Sequence, residues 1–415
     1  MSDRYEPFSP ARIEALGEAL RAPVIRDIEG LASLRAEVSG ARSPLAGLSA
    51  LLEGDPQLGE RFFTRMLPSL LRAARELVTS GIPSLPVHAQ GTATRSRLPR
   101  SSIPGWIAHI LLGTLPPPSP DHPCVDALLL LRRTEPQELA KLHCILELFD
   151  RTADGTLPGT LTIERRVAPP RTAKEWETDR SPLPAIEVRD AEAIEDAELH
   201  LQVDFANRFL GGGVLSGGCV QEEIRFAVAP ELLVAMICSP RMEDGEAILV
   251  HGAERLAQTR GYAFKLQYAG SYQDCSPRLP DGTPDVSLVA IDALDFRRAD
   301  SSAQYTERFM LRELRKASAG FSSDERGLRV ATGNWGGGVF LGDPALKAVL
   351  QWLAASACGR AVRYHPFGDP RVAGLASFAG RASARFGSVG ALWARLLEVM
   401  SEAPGGPIFD RILGR

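Results

Sequence analysis

The sequence predicts an α/β layered protein led by a helical region, and three observations predict it. Apolar residues recur at helical spacing through the first third of the chain. From about residue 160 onward, short apolar runs alternate with helical segments, the pattern of strands and helices packed in layers. Two glycine clusters, at 211–213 and 336–338, each follow one of those runs.

In the front region Arg12, Ile13, Leu16, Ala19 and Leu20 share a helical period. Phe62, Phe63, Met66, Leu67, Leu70 and Leu71 do the same within a longer helix expected from Gln57 to Thr79. Ile107–Leu112, Cys124–Leu131 and Gln137–Phe149 continue the series, with LPPPSPDHP at 115–123 as a rigid elbow. Turn residues gather around Gly155, and the domain boundary is expected there: a helical accessory domain over 1–155 and a catalytic domain over 156–415. TLTIERRV after it alternates like a strand, and 168–184 reads as a proline-rich loop. Further strands are expected at Leu199–Ala206, Ala247–Val250, Val286–Ile291, Arg329–Thr332 and Ala361–Phe367. Helices are expected at Gln221–Met236, broken at Pro230, and at Thr306–Ala319 and Pro344–Ala357.

A chain of 415 residues with 44% hydrophobic and 24% charged residues has ample material for a large core. A net charge of −4 supplies no bulk basic field for nucleic acid or an acidic membrane. No base-specific nucleic-acid binding and no membrane association are expected. The opening MSDRYEPFSPARIEAL has no apolar core of a secretory signal, and six scattered cysteines without a CxxC suit a reducing compartment, so a cytoplasmic location is expected, or a nuclear one in a eukaryotic source; a monomer is also expected. His122, Cys124, His143 and Cys144 fit no standard zinc spacing, and no metal or other cofactor is expected.

The glycine clusters allow two readings. They are tight turns, or they bring backbone N–H groups against phosphate oxygens at the carboxyl ends of strands. Neither cluster is a Walker loop, and neither has the spacing of GxGxxG. Glu222 and Glu223 follow the first cluster. Acids are favoured in the first turn of a helix by its dipole. Neighbours on a helix do not face each other, so they cannot clamp a glycosidic bond from opposite sides. One could instead protonate a leaving group while the other holds hydroxyls.

The run VDFANRFLGGGVLSGGCVQEEIRF, 203–226, resembles the signature of eukaryotic-type poly(ADP-ribose) glycohydrolases, a GGG followed by QEE. AIDALDFRR (290–298), MLRELRKASAGF (310–321), VATGNWGGGVFLGDPALKAVLQWLAASA (330–357) and HPFGD (365–369) resemble the same family in the same order. The resemblance implies a macrodomain, a mixed sheet flanked by helices, behind a helical accessory region. It implies hydrolysis of the ribose–ribose O-glycosidic bonds of poly(ADP-ribose), acting on the polymer and on poly(ADP-ribosyl)ated proteins without a cofactor. Glu223 aligns with the family's acid/base, and Glu222 and Asn207 with residues that hold the ribose. Asp204 and Gln221 belong to the same pocket. Gly211, Gly212 and Gly213, with Gly338, Val339 and Phe340, match the diphosphate segments. Glu195 aligns with an adenine contact, Phe367 with the aromatic that stacks on adenine, and Tyr262 with a tyrosine reaching over the ligand. Asn334 matches the asparagine of the GNWG block. Relatives often carry one non-glycine in the second cluster, and KLQYAGSYQD after Tyr262 departs from the family pattern. A reader of ADP-ribose without activity would keep the glycines and the aromatic but lose the acid, and QEE is intact here.

Overall fold

The computed structural model describes residues 4–21, 24–81, 83–298, 300–322, 326–402 and 407–414. Its centre is an eight-stranded mixed sheet. In chain order the strands are β1 (Thr94–Pro99), β2 (Thr160–Val167), β3 (Ile186–Val188), β4 (His200–Ala206), β5 (Glu246–His251), β6 (Ser287–Asp292), β7 (Arg329–Gly333) and β8 (Val362–His365). Across the sheet they run β1-β2-β5-β6-β4-β7-β8-β3. The five strands from β6 to β3 are parallel, and β1, β2 and β5 form an antiparallel wing.

Both faces of this sheet are covered, and the sequence period explains how. Side chains alternate across a strand. Leu288 and Ala290 of β6, like Ile248 and Val250 of β5, enter a core shared with the front helices. Val289 and Ile291, with Ala247 and Leu249, enter a second core on the opposite side. That second core includes the Glu307–Phe321 and Pro344–Ala357 helices and the three helices after residue 374. The macrodomain architecture expected from the resemblance is therefore present, with helices at the N-terminus.

Several elements differ in detail from expectation. The Gln57–Thr79 helix is interrupted: Pro56–Arg61 and Leu67–Thr79 are α-helical, with a π turn at Phe62–Met66 between them. Pro68 has no N–H for the residue four positions back, and the ladder widens there. Of Cys124–Leu131 only the part from Leu128 onward is helical, in a short helix Leu128–Arg132. The loop at 168–184 contains a one-turn helix, Ala173–Glu177, started by the capping box of Thr172 and Glu175. Strand β1 lies before residue 155 and pairs with β2 after it, so the sheet draws on both sides of that position. Among the described residues no helix is long and apolar enough to cross a membrane.

Candidate functional site

The site is built where three parallel strands end. Strand β4 delivers Gln202, Asp204 and Ala206 to one face, opposite the Gln221–Val228 helix. Arg225 of that helix donates to Oε1 of Gln202 at 2.8 Å, and Gln221 bridges to the strand backbone at Phe205 N and Val203 O. The helix is thereby locked to the end of β4, and Asp204 lies buried beneath it.

Each carboxylate of the glutamate pair is held by two backbone N–H groups. Glu222 accepts from Gly211 N at 2.7 Å and Asn207 N at 2.8 Å. Glu223 accepts from Gly213 N at 2.9 Å and from Val220 N at 2.8 Å, the latter as the third helical residue reaching back to the N-terminus. The two carboxylates come together on either side of Gly212, and the loop between 207 and 220 wraps around both. That wrapping is why glycine is needed. Gly211 and Gly212 have φ of 83° and 51°, in the left-handed region. A Cβ on Gly212 would meet Oε2 of Glu222 at 2.7 Å, and one on Gly218 would sit 2.5 Å from Oε1 of Glu223. All three N–H groups of the first cluster are used internally, since Gly212 N donates to Phe209 O.

Asp204 completes a cluster of three buried acids. Among the described residues neither of its carboxyl oxygens has a hydrogen-bond partner. Burial first, and then Glu223, push its pKa up to about 8, against Arg225. Burial also raises Glu222 well above the usual carboxylate range, with Asp204 and Glu223 adding, although its two N–H bonds favour the anion. Asp204, which accepts no such bonds, is the group that keeps its proton at neutral pH. This has a consequence for stability. Below about pH 4 the residue is protonated in both folded and unfolded chains. As pH rises toward 8 only the folded chain holds the proton, so the folded state loses stability across that window. Asp204→Asn keeps the shape and removes the titration. Its melting temperature relative to the wild type is expected to climb from pH 5 to pH 8, with Glu222 leaving a residual slope. Parallel wild-type and variant curves would show that Asp204 does not titrate in this way.

Next to this cluster lies a cavity of about 650 Å³. Glu195, Gln221, Tyr262, Asn334, Gly338, Val339, Phe340 and Phe367 of the residues singled out from sequence line it. Glu222, Glu223, Asp204, Asn207 and the first glycine cluster do not; they sit beyond one end, joined to the cavity through Val220 and Gln221. Tyr262 stands between the two parts on a hairpin of Ala257–Arg260 and Gln267–Ser271. The residue is 56% exposed, but its hydroxyl end is tucked in near the Gln221 backbone and Glu223, and burial raises its pKa.

The far end of the cavity presents an aromatic surface. Phe367 is 52% exposed and holds φ of 53°, an uncommon conformation for a bulky residue. The surroundings enforce it: Asn334 donates from Nδ2 to Pro366 O at 2.8 Å and accepts from the Tyr364 hydroxyl at 2.9 Å. Both ends of the Asn334 amide thus serve the turn that carries Phe367. Between the two ends runs the second glycine loop. Gly336 and Gly337 are sterically required, with Ala293 and Pro344 closing on them, whereas Gly338 faces open space. Among the described residues no acceptor meets the N–H groups of Gly338, Val339 and Phe340. Trp335, bonded to Ile291 O at 2.9 Å, and the Lys347–Glu313 ion pair at 2.7 Å fix this loop from below.

Three contributors escaped the sequence reading. Arg225 is buried yet lines the cavity beside Glu195. Gly218 abuts Glu223. Lys141, from the Pro136–Arg151 helix, reaches the carbonyl side of the glutamate loop. The signals were faint: a second glycine pair in the loop, and a lysine flanked by buried positions in an otherwise ordinary helix. Among the described residues no group of three or more His, Cys, Asp and Glu side chains is arranged to hold a metal ion.

Residues 173–374 match the model of a family described as poly (ADP-ribose) glycohydrolase (PARG), macro domain fold. Poly(ADP-ribose) glycohydrolase 1 of Arabidopsis thaliana is 32% identical over 347 residues, covering 66% of this chain and 63% of that protein. Probable poly(ADP-ribose) glycohydrolase 2 of the same plant is 33% identical over 63% of this chain and 59% of its own length. Poly(ADP-ribose) glycohydrolase 1 of Caenorhabditis elegans is 36% identical over 56% of this chain and 32% of that protein. The chain thus spans less than two thirds of the length of each of these relatives.

Proposed function

We propose that the protein, whose residues 173–374 match the poly(ADP-ribose) glycohydrolase family model, hydrolyses the ribose–ribose O-glycosidic bonds of poly(ADP-ribose) and releases ADP-ribose. The observation that carries this reading is the pairing of a rigid acid cluster with an elongated cavity that ends on an exposed aromatic ring.

Adenine stacks on Phe367, with Glu195 and Arg225 at its edge. The diphosphate lies along the N–H groups of Gly338, Val339 and Phe340, and the ribose passes beneath Tyr262 toward Glu223. The first glycine cluster serves mainly to fix the two carboxylates, because its N–H groups are already engaged. Each carboxylate oxygen of Glu222 keeps a second lone pair for a ribose hydroxyl after accepting one N–H. Glu223 gives its proton to the departing ribose oxygen as the C–O bond breaks. The sugar left behind carries oxocarbenium character. The resulting carboxylate then takes a proton from water, whose oxygen bonds to the sugar carbon, and the acid is restored. Asp204 and Glu222, whose carboxyl pKa values burial raises, hold protons beside Glu223. Residues 1–155 supply the front helices and the edge strand β1 of the sheet, the rest of which lies in the catalytic 156–415, and the protein acts as a monomer on the polymer and on proteins that carry it.

The direct test is purified protein incubated with poly(ADP-ribose), the products being read by mass. Shortened chains with free ADP-ribose are expected. Tight ADP-ribose binding with the polymer left intact would make the protein a reader of the modification. Phe367→Ala is expected to weaken ADP-ribose binding by about 1–3 kcal/mol, the range for a base stacked on an aromatic side chain. An unchanged calorimetric affinity would place adenine elsewhere.

A further inference from the structure

The glutamate loop has two sides, and only one faces the acids. On the other side the carbonyl oxygens of Gly213, Val214, Ser216 and Gly218 converge on one point. Nζ of Lys141 occupies that point, at 3.3 Å from Gly213 O, 3.2 Å from Val214 O and 2.8 Å from Ser216 O, with Gly218 O closer still. The side chain is fully buried. Among the described residues no carboxylate comes within ion-pair distance of its ammonium. Glu138, on the same helix, faces Arg133 at 3.6 Å. The lysine therefore spends its charge on peptide carbonyls. Those carbonyls point inward at a place where water would otherwise have to satisfy them.

Lysine suits this task better than any other residue. A compact ammonium with three rotatable donors can address acceptors on several sides, whereas the planar fork of arginine cannot. Burial works against the charge and pushes the Lys141 pKa down, while Cys219, Glu223 and Glu138 nearby oppose that.

Gly213 links the two sides. Its carbonyl accepts from Lys141, and its N–H donates to Oε1 of Glu223. Gly218, whose carbonyl is also held, abuts the same carboxylate. We propose that Lys141 is a positioning residue for Glu223: it fixes the carbonyl face of the 211–220 loop so that the opposite face presents Gly213 N and Val220 N to the acid. The inference rests on the reading of Glu223 as the acid/base. It also gives the helical front a defined task in the reaction, since Lys141 belongs to a helix that precedes the sheet's first central strands.

The test is Lys141→Met in the full chain, compared with wild type on poly(ADP-ribose). Removing the ammonium lets the loop relax, and a misplacement of about 1 Å is expected to lower kcat about 100-fold. Adenine and diphosphate are held by other loops, so the ADP-ribose Kd should stay within about threefold and the calorimetric stoichiometry near one, a loss in kcat without a matching loss in binding. Amide exchange should speed up over 211–220 and not over 333–342. If Lys141→Met does not fold, Lys141→Gln, which keeps two donors without the charge, is judged by the same measures. A folded variant with wild-type kcat, or one losing affinity and kcat in equal proportion, overturns the proposal. If the wild type leaves the polymer intact, the functional reading fails by itself. The exchange data then decide on Lys141 separately, with unchanged rates over 211–220 counting against it.

Discussion

Glu223→Gln is expected to lower turnover of poly(ADP-ribose) by about 10²–10⁴-fold, the contribution typical of a general acid–base group, while ADP-ribose still binds. The substitution keeps the length and shape of the side chain. Its amide oxygen can still accept from one of the two backbone N–H groups now bonded to Glu223, from Gly213 or Val220. Its NH₂ end then faces the other N–H, so some local adjustment follows, but the transferable proton is gone in any case. Initial-rate assays with calorimetry on the same preparation separate the two effects. A variant with a tenth or more of the wild-type rate would remove Glu223 from the role of acid.

Gly218→Ala should come close to that loss by geometry alone. Gly218 lies outside the left-handed region, so alanine fits the backbone there. The added methyl would nevertheless lie 2.5 Å from Oε1 and 2.8 Å from Cδ of Glu223, and 2.8 Å from the Gly213 Cα. Glu223 cannot swing aside without giving up its two N–H partners, and the backbone at Gly213 cannot retreat from a loop pinned on its far side. A displacement of about 1 Å at the acid is worth about 100-fold in rate. Phe367 and the second glycine loop are untouched, so ADP-ribose affinity should hold. Wild-type kinetics in Gly218→Ala would mean that the carboxylate tolerates movement and that the loop's tightness is incidental.

The sheet was legible in the sequence wherever strands are buried on both faces. β5 and β6 read as apolar runs because they feed a core on either side, while β4, β7 and β8 showed through one apolar face, at Leu201 and Val203, at Val330, and at Val362 and Tyr364. The Pro344–Ala357 helix was legible to the residue, since Asp343 caps it and Pro344 opens it. β1 was not. TRSRLP is an edge strand with arginines turned outward and a proline at its end, features that protect an edge and disguise a strand. The 257–271 hairpin packs few apolar residues and gave no periodic signal.

Within the site, Phe367 was reached only through the family resemblance, whereas the glutamate pair, adjacent acids behind a glycine cluster, stood out by itself. The purpose of the first glycines did not. From sequence both tight turns and a phosphate cradle were open, with the family resemblance favouring the phosphate, whereas in the structure each N–H turns inward to a carboxylate or a carbonyl of its own loop. Such a reversal depends on where the chain folds back after Gly217, which no local pattern states. Lys141 was hidden for a related reason. A lysine in a helix is ordinarily solvated, and only the tertiary structure surrounds this one with carbonyls from a segment more than seventy residues away.

The most direct measurement is a crystal structure with ADP-ribose diffused in. Adenine is expected against the Phe367 ring, diphosphate oxygens on the N–H groups of Gly338, Val339 and Phe340, and the terminal ribose carbon that carries the scissile bond facing the Glu223 carboxyl. A ligand lying in the opposite sense, or bound with that ribose away from Glu223, would contradict that expectation.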